Sequence, residues 1–325
     1  MNLKRLCMFK ILITDPISEH GLAILEDNQI KILYKPDANE KELDSILPDI
    51  DGWIIRSGTT ITEKYIKNSR KLSVIGRAGV GVDNIDIQAA TRQGIVVMNT
   101  PDVNTISAAE HTVGMILAVS RNLAQGHESL NRGQWNRHAL VGTELFGKTL
   151  GIVGCGKIGS EVRKRLQSFG LNMIGYDPFL TQDDFDPSHL KIVDLDTLTR
   201  ESDFITLHVP LVKDTKDLFN VDRFKMMKKT ARIINVARGG IINESDLAHA
   251  LIHGIIAGAA IDVFENEPIN ENHPLLNLPN CILTPHLGAS TKEAKEGVSL
   301  AVCNQVRDYL VHKNMTFALN NPFED

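Results

Sequence analysis

The sequence predicts an α/β protein of two doubly wound parallel-sheet domains, and three observations carry that prediction. Strand-like apolar runs alternate with helical patterns through both halves of the chain, the order that lays parallel strands under crossover helices. One run, Leu150-Gly151-Ile152-Val153, turns at Gly154-Cys155-Gly156 into the helical pattern KIGSEVRKRLQSFG. Three residues of distinctive chemistry, Arg238, Glu267 and His286, each follow the end of a predicted strand. Strand ends form the rim where open α/β sheets bind ligands.

In the first third, strands are expected at Phe9–Thr14, Ile30–Tyr34, Gly52–Arg56, Ser73–Gly76 and Ile95–Met98. Helical patterns lie between them at Ser18–Asp27, Asn39–Leu47, Thr62–Asn68 and Ile85–Gln93. Arg56 in GWIIRSGTT and Arg77 in SVIGRAGVGVDN stand at strand ends. Either one alone reads as a surface ion pair. Together, each followed by a glycine-containing turn, they read as an anion site. Asn104, Thr105 and Ser107 are candidate caps for a long helix whose apolar and small residues leave little polar face before Arg121. Such a helix is expected to be buried, between two domains or against a second subunit. GQWNRHALVGTEL then reads as a loop leading to the glycine motif.

In the second series, strands are expected at Thr149–Val153, Asn172–Tyr176, Lys191–Val193, Phe204–His208, Arg232–Val236, Gly258–Asp262 and Asn280–Thr284. Helices intervene, one of them at Glu244–His253, and a last helix from Thr291 to His312 precedes a short tail. Gly154, Gly156 and Gly159 form a G-x-G-x-x-G between strand and helix. The first glycine permits the turn, the second admits a pyrophosphate to the backbone, and the third lets helix and strand pack closely. The helix N-terminus then offers its free N–H groups to the phosphates. Asp177, at the end of the next strand, can accept hydrogen bonds from an adenosine ribose and would repel a 2′-phosphate. Its neighbours Pro178 and Phe179 supply no arginine, so the cofactor is read as NAD rather than NADP. A Rossmann-type nucleotide domain, residues 104–287, is thus expected as an insertion in a flavodoxin-like substrate domain made of residues 1–103 and 288–325. The cleft between them is the expected place for chemistry.

Arg238, Glu267 and His286 together make a hydride-transfer site in chemical terms. A neutral imidazole takes the hydroxyl proton of a 2-hydroxy acid as hydride leaves the same carbon. A carboxylate on the ring orients it and stabilises the imidazolium. A guanidinium grips the substrate carboxylate through two parallel hydrogen bonds. Glu265 is an alternative to Glu267, and Asp262 is either a second, structural carboxylate or a partner for the cofactor amide.

The bulk numbers narrow the classes. Length is 325 residues, enough for two domains, with 42% hydrophobic and 23% charged residues and a net charge of −5. That balance argues against nucleic acid or an anionic membrane as partner, and leaves room for a small anionic substrate. The longest apolar run, Val113 to Val119, is far too short to span a bilayer. MNLKRLCMFKILITD lacks the apolar run and cleavage site of a signal peptide and reads as a short tail and a first strand. Cys7, Cys155, Cys281 and Cys303 form no C-x-x-C pattern. They suggest neither a metal site nor a redox pair, and fit a reducing, cytoplasmic location. Cys155, at the phosphate-binding turn, is either a thiol of lowered pKa or a small residue tolerated there.

The segments GRAGVGVDNID, VMNTPDVNTISAAEHTVGMIL, GTELFGKTLGIVGCGKIG, GYDP, INVARGGIINE, GAAIDVFENEP and TPHLGAST together resemble the D-isomer-specific 2-hydroxyacid dehydrogenase family. The resemblance spans most of the chain from Gly76 to Thr291. It implies NAD-dependent oxidation of D-3-phosphoglycerate, with glyoxylate or hydroxypyruvate reduction as the alternative within the family. A non-catalytic NAD-sensing scaffold on the same fold is the alternative outside enzymes. The resemblance further implies Arg238 as carboxylate binder, Glu267 as the histidine's partner and His286 as acid–base. It implies cofactor contacts at Gly154, Gly156, Lys157, Ile158, Gly159, Asp177, Val209, Pro210, Val236, Ala237, Arg238, Asp262, His286 and Gly288. Substrate contacts are implied at Arg56, Ser57, Arg77, Gly79 and Val80, and at Arg137 from a neighbouring subunit, in a homodimer or homotetramer built through the nucleotide domain. Val80, Val209 and Val236 stand where related enzymes often carry Thr, Thr and Cys; two of these positions, Val80 and Val236, act mostly through backbone. Formate-oxidising members carry glutamine in the Glu267 role. The chain also stops soon after its last helix, the form expected without the regulatory domain of longer members.

Overall fold

The computed structural model describes residues 8–26 and 29–324. The expected N-terminal tail with Cys7, and the Asp27 end of the first helix, lie outside the described residues. The chain divides into two compact units, Met1–Asn104 with Thr291–Asp325, and Thr105–Ser290.

The first unit alternates β1 (Phe9–Ile13), α1 (Glu19–Ile24), β2 (Ile30–Tyr34), α2 (Glu40–Ile46), β3 (Gly52–Ile55), α3 (Glu63–Asn68), β4 (Val74–Arg77), α4 (Ile87–Arg92) and β5 (Val96–Asn99). The strands pair in parallel in the order β2-β1-β3-β4-β5. Continuous apolar runs such as Gly52–Ile55 form strands here because both faces of the sheet are covered, and β3 and β5 are buried at every residue. Among the short helices, α2 and α4 begin at side-chain caps: Asn39 and Glu42 close a reciprocal capping box on α2, and Asp86 accepts the Ala89 N–H of α4.

The second unit opens with α5 (Thr105–Arg121) and α6 (Leu123–Asn131), followed by β6 (Thr149–Val153), α7 (Lys157–Leu166), β7 (Asn172–Tyr176), β8 (Lys191–Ile192), α8 (Leu195–Glu201), β9 (Phe204–Leu207), α9 (Val221–Met226), β10 (Arg232–Asn235), α10 (Glu244–Ile252), β11 (Gly258–Ile261) and β12 (Cys281–Leu283). All seven strands are parallel, in the order β12-β11-β10-β9-β6-β7-β8. The winding direction reverses between β6 and β9, the crevice where this topology binds ligands. The buried face of α5 is covered within its own unit: Met115, Ile116 and Val119 pack with Leu150, Ile152 and Leu166. The stretch after α5 is more structured than expected. Asn122 takes the left-handed conformation (φ 53°) and starts α6, and Arg137–Ala139 forms a 3-10 turn inside the expected loop.

The last helix, α11 (Lys292–His312), belongs to the first unit and starts at Thr291, whose hydroxyl accepts the Ala294 N–H. Val298, Val302 and Val306 join Ile11, Ile13, Ile54 and Val74 in one core. The tail after it is docked rather than loose. Asn320 accepts the Val97 N–H and donates to Thr91 and the Ile95 carbonyl, while the Leu319 N–H reaches the Val97 carbonyl. These bonds satisfy the outer edge of β5. No helix among the described residues is long and apolar enough to cross a membrane.

Candidate active site

The glycine turn between β6 and α7 has the shape a dinucleotide needs. Gly154 has φ 92°, and a Cβ there would sit 2.6 Å from the His208 carbonyl oxygen. A Cβ on Gly159 would sit 2.2 Å from the Gly154 carbonyl oxygen, so helix and turn touch backbone to backbone. A Cβ on Gly156 would meet nothing within 4 Å, so that side of the turn is open to a phosphate. The helix α7 begins directly after Gly156, and the positive end of its dipole there suits that charge. Asp177 follows β7 and turns back on the loop, accepting the Cys155 N–H at 2.9 Å and the Phe179 N–H at 3.0 Å. Val209 and Pro210 follow β9, across the switch point from Gly154.

Cys155 settles between its two readings. Its side chain is buried beneath the turn, against the position a Cβ of Gly175 would occupy. Burial, with the nearby Asp177 charge, pushes the thiol up to about 12. The low-pKa reading is overturned: the helix N-terminus cannot offset the loss of solvent.

At the ends of β10, β11 and β12 the structure brings together Val236, Ala237, Arg238, Asp262, Glu267, His286 and Gly288. Asn235, buried at the end of β10, builds the first turn: it donates to the Arg238 carbonyl and accepts the Ala237 N–H. The Arg238 guanidinium, half-buried, donates to the Ala237 carbonyl at 2.7 Å. Gly239 then lies so close to the next loop that a Cβ would stand 1.9 Å from the Phe264 carbonyl oxygen. That loop carries Glu267. One of its carboxylate oxygens accepts the Phe264 N–H at 2.9 Å and the other meets His286 Nδ1 at 2.6 Å. Partial burial raises the Glu267 carboxyl, but the hydrogen bonds from His286 and the Phe264 N–H outweigh it and hold the group below the usual glutamate value.

Asp262 has no exposed surface. Its Oδ1 accepts from the Thr284 hydroxyl (2.5 Å) and the Leu287 N–H (2.7 Å) and meets His111 Nε2 at 3.2 Å; its Oδ2 accepts the Gly288 N–H at 2.8 Å. Burial works against the charge, and these four contacts more than compensate, leaving the carboxyl below the usual aspartate range. Asp262 thereby shapes the 284–288 turn on which His286 sits with φ 53°. Of its two expected readings, the geometry bears on the structural one.

In the first unit, Arg56 and Ser57 follow β3, Arg77 ends β4 and Gly79 and Val80 follow it, so all five gather at the carboxyl edge of that sheet. The Arg56 loop is clamped from both sides. Asp15 accepts the Arg56 and Thr59 N–H groups, and Asn84 donates to the Arg56 and Thr59 carbonyls. Gly79 has φ 145°, and a Cβ there would collide with the Arg77 guanidinium. Arg137 lies on an exposed 3-10 turn that belongs to none of these strand ends. Sequence reasoning missed Asp15 and Asn84, which no local pattern marks because their partners are backbone groups of another segment, and Asn235, whose partners lie two and three residues on, the short-range signal of an Asn turn.

Residues 113–288 match the model of the NAD-binding domain of D-isomer specific 2-hydroxyacid dehydrogenases. The chain belongs to this family. Among relatives, it is 47% identical over 305 residues to D-3-phosphoglycerate dehydrogenase of Methanocaldococcus jannaschii, covering 93% of this chain and 58% of the relative. It is 46% identical over 315 residues to D-3-phosphoglycerate dehydrogenase of Synechocystis sp., covering 97% of this chain and 56% of the relative. The chain thus spans somewhat more than half the length of these relatives. Among solved structures, the NAD-dependent formate dehydrogenase of Staphylococcus aureus in complex with NAD superposes with a TM-score of 0.85 at 32% identity, over 95% of this chain and 97% of that one. The glycine turn is the part of the family's NAD-binding domain whose geometry fits a dinucleotide.

Proposed function

We propose that this chain catalyses NAD-dependent interconversion of a D-2-hydroxy acid and its 2-keto acid, with D-3-phosphoglycerate and 3-phosphohydroxypyruvate as the pair. The observation that carries the proposal is the 2.6 Å contact between His286 Nδ1 and Glu267 Oε2. With Nδ1 engaged, Nε2 is the ring nitrogen left to take the substrate's hydroxyl proton. Glu267, held ionised, stabilises the imidazolium that results. Arg238 binds the substrate carboxylate through paired hydrogen bonds and draws electron density from the neighbouring oxygen. NAD, when bound, supplies the hydride acceptor.

The phosphoglycerate assignment is supported by the names of the relatives at 46% and 47% identity. In this reading Arg56, Ser57, Arg77, Gly79 and Val80 meet the substrate's anionic groups, and Arg137 serves a neighbouring subunit's substrate. The exposed apolar side chains of Trp135, Val141 and Phe146 in the second unit support a homodimer or homotetramer formed through it.

The test is NADH consumption with 3-phosphohydroxypyruvate, hydroxypyruvate, glyoxylate, pyruvate and 2-oxoglutarate. A large kcat/KM advantage for 3-phosphohydroxypyruvate is expected. Preference for glyoxylate or hydroxypyruvate would keep the mechanism and refute the phosphate site. Binding of NADH with no turnover on any acid would refute the catalytic reading in favour of an NAD-sensing scaffold.

A further inference from the structure

Outside the residues assigned above, the second unit holds another carboxylate–imidazole pair. Glu244, the first residue of α10, places Oε2 2.9 Å from His273 Nε2, and the two side chains are 14% and 8% exposed. His273 Nδ1 faces the Leu275 N–H at 3.4 Å, a group that can only donate. The ring proton therefore sits on Nε2 and is given to Glu244. The other Glu244 oxygen accepts the Glu265 N–H at 2.8 Å. Phe264 packs edge-on against the His273 ring, with centroids 5.4 Å apart.

These contacts converge on one peptide group. The Phe264–Glu265 peptide donates its N–H to Glu244, and its carbonyl is the surface against which Gly239 lies without room for a methyl group. The preceding N–H, at Phe264, holds Glu267. A shift of that peptide would move the turn bearing Arg238 and the carboxylate touching His286 at once. We propose that the buried Glu244–His273 pair is a positioning device for the acid–base site, fixing the 264–267 turn so that Glu267 stays in register with His286. The pair touches no reacting atom; it acts through Glu267. This inference rests on the assignment of Glu267 and His286 given above.

The test compares Glu244→Ala, Glu267→Gln and the double variant. Glu244→Ala should lower kcat about ten- to a hundredfold, the scale of a misplaced catalytic group, and raise KM through the displaced Arg238 turn, while the NADH Kd stays within about twofold. In the Glu267→Gln background the same substitution should add little, because residues acting as a unit are not additive. Full kcat in Glu244→Ala, or losses that simply multiply, would overturn the proposal. A crystal structure of Glu244→Ala supplies a readout without turnover: the Glu267–His286 contact should open beyond hydrogen-bond reach, and its persistence would overturn the proposal. If the unsubstituted protein reduces none of the keto acids, the activity assignment fails and the crystal structure alone decides the positioning role. Should Glu244→Ala not fold, Glu244→Gln replaces it, since its amide keeps an oxygen for the Glu265 N–H but opposes a donor to the His273 Nε2–H.

Discussion

Gly239 and Phe264 meet backbone to backbone: the position of a Cβ on Gly239 falls 1.9 Å from the Phe264 carbonyl oxygen and 2.5 Å from the Glu265 nitrogen. The neighbours are main-chain atoms, so no rotamer change relieves a clash. Gly239→Ala should therefore destabilise the protein by about 1–3 kcal/mol, the usual scale of overpacking, and should lower turnover by pushing the Arg238 and Glu267 turns apart. Thermal melting and initial rates check this together. An unchanged melting temperature with full activity would mean the two turns separate freely.

His286→Ala should leave NADH binding nearly intact, while turnover falls at least about a hundredfold from loss of the acid–base group. Fluorescence titration and single-turnover rates separate the two quantities. A variant that keeps its rate would remove His286 from the mechanism.

Asp177→Ala should weaken NADH and narrow its advantage over NADPH, through loss of a ribose acceptor and of a negative charge. The structure adds a second route, since Asp177 also ties down the Cys155 N–H of the glycine turn. Asp177→Asn keeps an acceptor for that tie. It should therefore retain more NADH affinity than Asp177→Ala while losing discrimination against NADPH. Equal affinities in the two variants would show that the turn does not depend on this bond.

Asp262 carries a pH prediction. Its folded carboxyl lies below the ordinary aspartate value, so its charge stabilises the fold at neutral pH and ceases to do so as pH falls through the carboxylate range. Asp262→Ala should cost at least about 2 kcal/mol near pH 7, because it strands the Thr284 hydroxyl, the Leu287 N–H and the buried Gly288 N–H. The gap between the two proteins should shrink on acidification. Urea titrations at pH 7 and about pH 3, below the ordinary aspartate value, measure it, and a gap that widens at low pH would refute the assignment.

Much of this was legible in the sequence where the signal is local. The G-x-G-x-x-G turn, the alternating strands and the three strand-end residues each announce themselves within a few positions. What escaped depends on where the chain travels. Nothing near Asn122 marks the left-handed residue that ends α5 and starts α6. The polar stretch after α11 gives no sign that Asn320 will bond the edge of β5, 223 positions away at Val97. Cys155 left two readings open, since its place at a helix start is visible in the sequence and the burial that decides between them is not. Glu244 and His273 likewise look like an ordinary helix-start acid and a loop histidine until the fold sets them 2.9 Å apart.

The helix α11 gives the first unit a timetable. Its valines lie so close to β4 that a Cβ on Gly76 would stand 2.5 Å from Val306, and that face of the sheet is apolar. During synthesis those strands leave the ribosome roughly 190 to 280 residues before the helix that covers them. The nucleotide unit, an unbroken stretch, has all its parts in hand sooner. The portion made first is thus the portion finished last, and in the interval its uncovered strands are the natural client of a chaperone.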